Sequence, residues 1–245
     1  MVKIKVIAIV ASHKRYEILK DCISCLKPQV NDIVLAGSSC WVDGVEGCSL
    51  AKMVAKEEDL IYVDHTNKIL GTKWAAALNR ARDENADAVL ICGSDDLLAS
   101  DWVCQKTSMT SPYFADGFSI CGVNSWYVYN PIIDEMIQCT YRSEQRSDPL
   151  GAGRLISKTI LDHVDWQIFP SEAIGCDLYS YRKLGSPGYS KIYSTCLCVK
   201  GNWNMLDSWE QLIGAESLDI GFYGPNGIDE MLKRFPDIDF DKYKK

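Results

Sequence analysis

Basic residues are in deficit. Lysine and arginine number 26 against 33 aspartates and glutamates, for a net charge of −7. A protein that grips nucleic acid through its phosphates needs clustered Lys and Arg. The one cluster here, Lys242-Tyr243-Lys244-Lys245, sits beside aspartates, so nucleic acid is not an expected partner. Long apolar runs are also missing. The opening run, residues 4–11, is far shorter than the ~20 residues of a membrane helix. It lacks a small-residue cleavage site, so neither a membrane span nor a secretory leader is expected. Glycine (17) and proline (8) are too sparse for a low-complexity or collagen-like chain. There are three histidines, and His65 and His163 have no partners at metal-ligand spacing. No Gly-x-Gly-x-x-Gly follows the first strand and no Walker loop is present, which disfavours dehydrogenase and ATPase chemistry. The eleven cysteines lie scattered in apolar runs, as at Cys92, Cys121, Cys196 and Cys198, and Cys22 and Cys25 have no second pair to complete a zinc shell. They read as reduced, buried side chains of a cytoplasmic protein.

What is present is the make-up of a folded chain: 47% hydrophobic and 24% charged over 245 residues, enough for one large α/β domain or two small ones. Nearly continuous β-branched runs at 4–11, 33–36, 60–63 and 88–92 predict strands buried on both faces. Between them, Tyr16, Leu19, Cys22, Ile23 and Leu26 fall at helical spacing, as do Leu70, Trp74, Ala77, Leu78 and Ala81, with a short helix over 50–58. Further strands are expected at 126–129, 136–141 and 192–199, and short helices at 209–213 and 227–235. Strand–helix alternation implies a mostly parallel central sheet with helices on both faces. Ligands of such sheets bind beyond the carboxyl ends of the strands, here the loops starting near Ala11, Gly37, Asp64 and Gly93.

Chemistry concentrates at Gly93-Ser94-Asp95-Asp96, where a buried strand delivers two adjacent carboxylates into a turn. Mg²⁺ and Mn²⁺ favour oxygen ligands and are commonly held by one or two carboxylates plus substrate phosphates. The plainer alternative, an Asp capping a following helical turn, is weakened because Ser100 and Asp101 are better placed to cap. In the second half, Trp126, Tyr127, Tyr129, Tyr141, Trp166, Tyr179, Tyr181, Tyr189 and Trp203 could line a sugar-binding cleft, although most such rings serve a core.

On these residues the chain resembles the nucleotide-sugar-dependent glycosyltransferases of the GT-A fold, in particular those of family 2. The matching features are the first strand with its polar loop Ala11-Ser12-His13, a helix start with Gly71 and Lys73, and the acidic turn. They continue with the Gly-rich segment Gly151-Ala152-Gly153-Arg154 and an acid near a helix start, Asp177. The resemblance runs over roughly residues 3–200, and its weight rests on the order and spacing of these short motifs. It implies one GT-A-like domain over 1–205, with a nucleotide-binding half (1–104), an acceptor half (105–205), and a C-terminal helical extension (206–245). It implies transfer of a sugar from a nucleoside-diphosphate sugar, UDP-linked by default, to a carbohydrate or other hydroxyl acceptor.

The implied donor site comprises Ala11, Ser12, His13, Ser38, Lys73, Ser94, Asp95 and Arg154. Asp96 with Asp95 would hold Mn²⁺ or Mg²⁺, and Asp177 would act as the base of an inverting reaction, with Glu172 the runner-up. Each has a plainer reading: an exposed polar turn for His13, a solvated helix lysine for Lys73, a surface arginine for Arg154, and a helix N-terminal acid for Asp177. The chain also departs from the family pattern. No acid stands at Ser38, just after the second strand, where family members read the nucleobase. The acidic motif commonly begins one Asp earlier, where this chain has Gly93, and the usual Glu-Asp pair is Cys176-Asp177. Two rivals stay open: a non-catalytic nucleotide- or sugar-binding protein of the same fold, and a nucleotidyltransferase.

Overall fold

The computed structural model describes residues 4–12, 16–38, 47–65, 69–103, 120–142, 148–171, 176–185, 189–192, 194–200 and 209–244. Its first half alternates as expected: β1 (Val6–Ala11), α1 (Tyr16–Leu26), β2 (Asp32–Gly37), α2 (Gly47–Glu57), β3 (Ile61–Asp64), α3 (Leu70–Asp83) and β4 (Ala88–Gly93). Strands β1 to β4 are mutually parallel, in the order β4-β1-β2-β3. The β-branched runs are continuous because β1 is buried on both faces. Val6, Ala8 and Val10 pack with Leu19, Ile23 and Leu26 of α1 and Val54 of α2. Ile7, Ile9 and Ala11 pack on the other side with Trp74, Ala77, Leu78 and Ala81 of α3. The helical periodicities in the sequence are these two buried stripes.

Beyond Gly93 come β5 (Asp96–Leu98), β6 (Ile120–Gly122), β7 (Ser125–Asn130), β8 (Glu135–Tyr141), β9 (Arg154–Ser157), α4 (Lys158–His163) and α5 (Cys176–Lys183). These are followed by β10 (Ser190–Lys191), β11 (Cys196–Val199), α6 (Trp209–Ile213), β12 (Leu218–Tyr223) and α7 (Pro225–Leu232), with a 3₁₀ turn at Phe240–Tyr243. The seven-stranded sheet runs β10-β6-β9-β4-β1-β2-β3. It is mostly parallel, as expected, but not purely so, because β9 lies antiparallel between β4 and β6. Of the expected strand at 192–199, residues 196–199 form β11, which joins a second sheet, whereas the two-residue β10 lies just before the stretch and joins this one. That second sheet, β12-β8-β7-β11-β5, is antiparallel apart from the β7–β11 pair.

The region 206–245, expected as a helical extension, contains a strand as well. β12 pairs antiparallel with β8, and Phe235, Phe240 and Tyr243 enter the same core as β1 and α1. Buried Asp21 of α1 accepts hydrogen bonds from Lys242 (2.9 Å) and from the Tyr243 hydroxyl, latching the tail to the first helix. Among the described residues no helix is long and apolar enough to cross a membrane.

Candidate functional site

The carboxyl ends of β1, β2 and β4 lie side by side, Ala11 opposite both Ala36 and Gly93. Ser12 follows directly, its N–H donating to Ala36 O at 2.9 Å, and both Ser12 and Ser38 are buried. Lys73 is no solvated helix lysine. From the first turns of α3 it turns inward, 3% exposed, and its ammonium donates to Ser12 O at 2.9 Å. Burial lowers its pKa to about 8. The end of β1 therefore holds a cation that is still mostly charged at neutral pH. His13 lies outside the described residues.

After β4 the chain turns through Ser94 and Asp95 into β5. The turn is closed by the Gly93 N–H, which donates to Asp96 Oδ2 at 2.8 Å. The other oxygen, Oδ1, accepts from the Cys198 thiol at 2.7 Å, across the β5–β11 pair. Asp96 is thus turned into the protein. Burial and the neighbouring Asp95 raise its carboxyl to about 6. The thiol is a suitable donor, because its bond to Cys196 and its burial hold its pKa well above the ordinary value. This packing also accounts for Gly93: a β-carbon there would strike the Asp96 carboxyl and sit 3.3 Å from Asp95 Oδ1. The glycine at the position where family 2 sequences carry the first acid goes with an inward-turned Asp96.

Asp95 faces a different partner. Its Oδ2 lies 3.2 Å from Lys200 Nζ, and its carbonyl accepts the Val199 N–H at 3.0 Å. Burial opposes the charge on Lys200, but Asp95 outweighs it and holds the ammonium well above its usual pKa. Sequence reading missed Lys200. A lone lysine ending a strand reads as a solvated terminus, and its partner is 105 residues away.

Mn²⁺ or Mg²⁺, which the family resemblance implies, needs open oxygen ligands. Both Asp96 oxygens are engaged by interior donors, and Asp95 already faces an ammonium. Among the described residues, the cluster with metal-ligand spacing is Asp96 with Cys196 and Cys198, all buried, a sulfur-rich set suited to softer ions. As arranged, the pair Asp95 and Asp96 does not fit a hard divalent cation.

The Gly-rich segment and α5 are built around each other. Arg154, expected at the ligand, is instead fully buried. Its guanidinium donates to Pro149 O (2.6 Å), Asp177 O (3.0 Å) and Ser180 Oγ (2.7 Å), with Asp148 at 3.8 Å. It fixes the start of α5 against the turn before β9. The Asp177 carboxyl lies directly on Gly151, so close that a β-carbon there would overlap it. Gly153 has φ +72° and carries the Trp102 indole, whose Nε1 donates to its carbonyl at 2.9 Å. Because Arg154 pairs with Ile91 of β4 in antiparallel register, the turn with Gly151 and Asp177 runs toward the same sheet edge as Ser94 and Asp95. Glu172 lies outside the described residues.

Of the aromatic rings, Trp126, Tyr129, Tyr141, Trp166 and Tyr181 are core, and Tyr127 and Tyr189 are half-buried. Tyr179, two residues after Asp177, is exposed, and Trp203 lies outside the described residues.

No family model and no curated protein matches this sequence. Solved structures do. The S. aureus TarS 1–349 complex with UDP-GlcNAc is 12% identical over 98% of this chain and 69% of that one, with a TM-score of 0.56. A longer S. aureus TarS structure is 13% identical over 81% and 35%, with a TM-score of 0.51. The mannosyltransferase PcManGT from Pyrobaculum calidifontis, in complex with GDP-Man and Mn²⁺, is 18% identical over 81% and 57%, with a TM-score of 0.49. The chain thus spans just over half of PcManGT and about a third of the longer TarS structure. At 12–13% identity the likeness to the TarS structures speaks for the fold alone. The chain has a GT-A-like glycosyltransferase fold.

Proposed function

We propose that this protein is a glycosyltransferase that takes a sugar from a nucleoside-diphosphate donor, UDP-linked sugars being the first to try, and passes it to a carbohydrate or other hydroxyl acceptor. The observation that supports this best is a convergence at one sheet edge. The Ser12–Lys73 pair, the Asp95–Lys200 pair and the Asp177 carboxyl seated on Gly151 all sit around the ends of β1 and β4 in a GT-A-like fold. Ala11, Ser12, Ser38, Lys73, Ser94 and Asp95 would line the donor site. Arg154 acts from behind it by setting the start of α5.

Asp177 would accept the proton of the acceptor hydroxyl as that oxygen attacks the anomeric carbon. The bond from that carbon to the diphosphate breaks, and the nucleoside diphosphate leaves with its electron pair. A single direct displacement of this kind inverts the configuration. The free cysteines, eight among the described residues, suit a reducing compartment, and the cytoplasm is the proposed location.

The test is a panel of nucleotide sugars screened by thermal shift and by donor consumption with candidate acceptors, since a ligand bound only by the folded state raises the melting temperature. Asp177→Asn should still be stabilised by the same donor while transfer falls by ~10²–10⁴-fold, the usual worth of a general base. Stabilisation without turnover by any acceptor would favour a binding protein of this fold. Full activity in Asp177→Asn would remove Asp177 from the mechanism.

A further inference from the structure

Lys200 is placed by the sheets rather than by its own flexibility. It directly follows β11, and its N–H donates to Tyr129 O at 2.9 Å. The preceding Val199 N–H holds the carbonyl of Asp95 itself. The Lys200 N–H is therefore fixed to β7 and that of Val199 to the acidic turn, which sets where the lysine stem starts. The side chain is 17% exposed against 9% for Asp95, so the ammonium forms the outer member of the pair.

The charges around it are equally specific. Asp95 neutralises Lys200, and Asp96 is spent on Gly93 and Cys198. The second ammonium of this edge, Lys73, sits at the end of the neighbouring strand β1. A diphosphate entering here meets two lysines held by the sheet and no open carboxylate pair to recruit a metal. A monovalent cation already bound to the acidic turn can do the work a divalent ion does elsewhere: attract the diphosphate and offset the charge that grows on it as the sugar leaves.

Resting on the glycosyltransferase reading above, we propose that Lys200, oriented by Asp95, is the cation that binds the donor diphosphate and stabilises it as leaving group, so that donor binding and transfer proceed without Mn²⁺ or Mg²⁺. Lys200 is then a catalytic residue that touches substrate, and Asp95 is a positioning residue that holds it.

The experiment measures UDP and nucleotide-sugar binding by calorimetry on the full chain, in EDTA and in Mn²⁺, for the parent protein and three variants. The parent should bind equally well in both. Lys200→Met should bind about 10- to 100-fold more weakly in EDTA, the range expected for losing one charged hydrogen bond. Lys200→Arg, which keeps the charge, should recover most of that loss. Because Lys200→Met leaves Asp95 buried without its cation, Asp95→Asn/Lys200→Met serves as the folded control, with a parent-like melting temperature and the same loss of binding. Parent binding that vanishes in EDTA and returns with Mn²⁺ overturns the proposal and leaves the glycosyltransferase reading standing. Parent-like affinity in Lys200→Met overturns it in the same way. A folded protein that binds no nucleotide sugar in either condition takes away the donor site, and this inference with it.

Discussion

Gly151 offers a test of the proposed base that leaves the acid itself untouched. Its φ is not in the left-handed region, so alanine suits its backbone. The added β-carbon, however, would fall under 3.0 Å from all three terminal atoms of the Asp177 carboxyl, where ordinary contact begins at 3.4 Å. Asp177 is only half-buried and its carboxyl is the free end of a side chain, so it can swing away. The stability cost of Gly151→Ala is accordingly small. The displacement is not small for chemistry: reaching normal contact moves the carboxyl by about 1 Å, and a shift of that size can cost ~10²-fold in rate.

The prediction is a variant with a near-parental melting temperature, parental donor affinity, and a transfer rate down by roughly two orders of magnitude. Gly153→Ala is the contrasting control. There the backbone is left-handed at φ +72°, and the new atom would lie 2.7 Å from Cε2 and 3.0 Å from Nε1 of the buried Trp102 ring. Backbone strain of about 1–2 kcal/mol and overpacking of about 1–3 kcal/mol should lower stability by about 2–5 kcal/mol. Calorimetric melting and single-turnover transfer on the two variants separate the effects. A Gly151→Ala protein that transfers at the parental rate would show that the carboxyl seated on this glycine is not the base.

Two further outcomes follow from groups the site has buried. The Asp96 carboxyl titrates near 6 in the folded chain against 3.8 otherwise, so the folded state binds the proton more tightly. Its contribution is complete below about pH 4 and falls away as pH rises to about 6, for about 3 kcal/mol in all. Asp96→Asn cannot lose that proton, so its stability relative to the parent should rise between pH 4 and 6; a flat difference in thermal melts would contradict the buried, inward-turned carboxyl. Arg154→Met should destabilise by about 3–5 kcal/mol, because buried Asp148 and two carbonyls lose their partner, and a melting temperature within a degree of the parent would show that the guanidinium does not hold the start of α5.

The first half was legible because β1, β2 and β4 are buried on both faces, which forces unbroken apolar runs that no other element of this length needs. The later strands carry no such mark. Five of the six residues of β12 escape full burial, and Asp219 and Gly221 interrupt them, so an edge strand reads as loop. β9 is four residues long and opens on Arg154, a charge that sequence reading sends outward and the fold seals inside. The stretch 192–199 reads as one strand because Ile192, which follows β10 and bonds to Gly122 in the first sheet, and β11 in the second are both apolar and buried. At the site, Asp95, Asp96 and Asp177 could be picked by type and position, but not the directions in which they point. Those depend on Cys198, Lys200 and Gly151, which reach them only through the second sheet and the turn before β9.

If the proposed anionic donor is bound, a chain with seven excess negative charges has to create the positive potential for it locally. The two lysines at the sheet edge do this by different means. Lys73 is drawn inward by a carbonyl and weakened by burial, so part of its charge is lost just above neutrality. Lys200 is held by a carboxylate and strengthened, so its charge persists. A surface lysine would be screened by salt within about 10 Å, whereas these ammonium groups lie behind low-dielectric walls and lose little. On the proposed reading the acidic turn then has a purpose even without a metal: Asp95 stabilises a buried cation that would otherwise shed its proton, and Asp96, its two oxygens held by the Gly93 N–H and the Cys198 thiol, pins the turn.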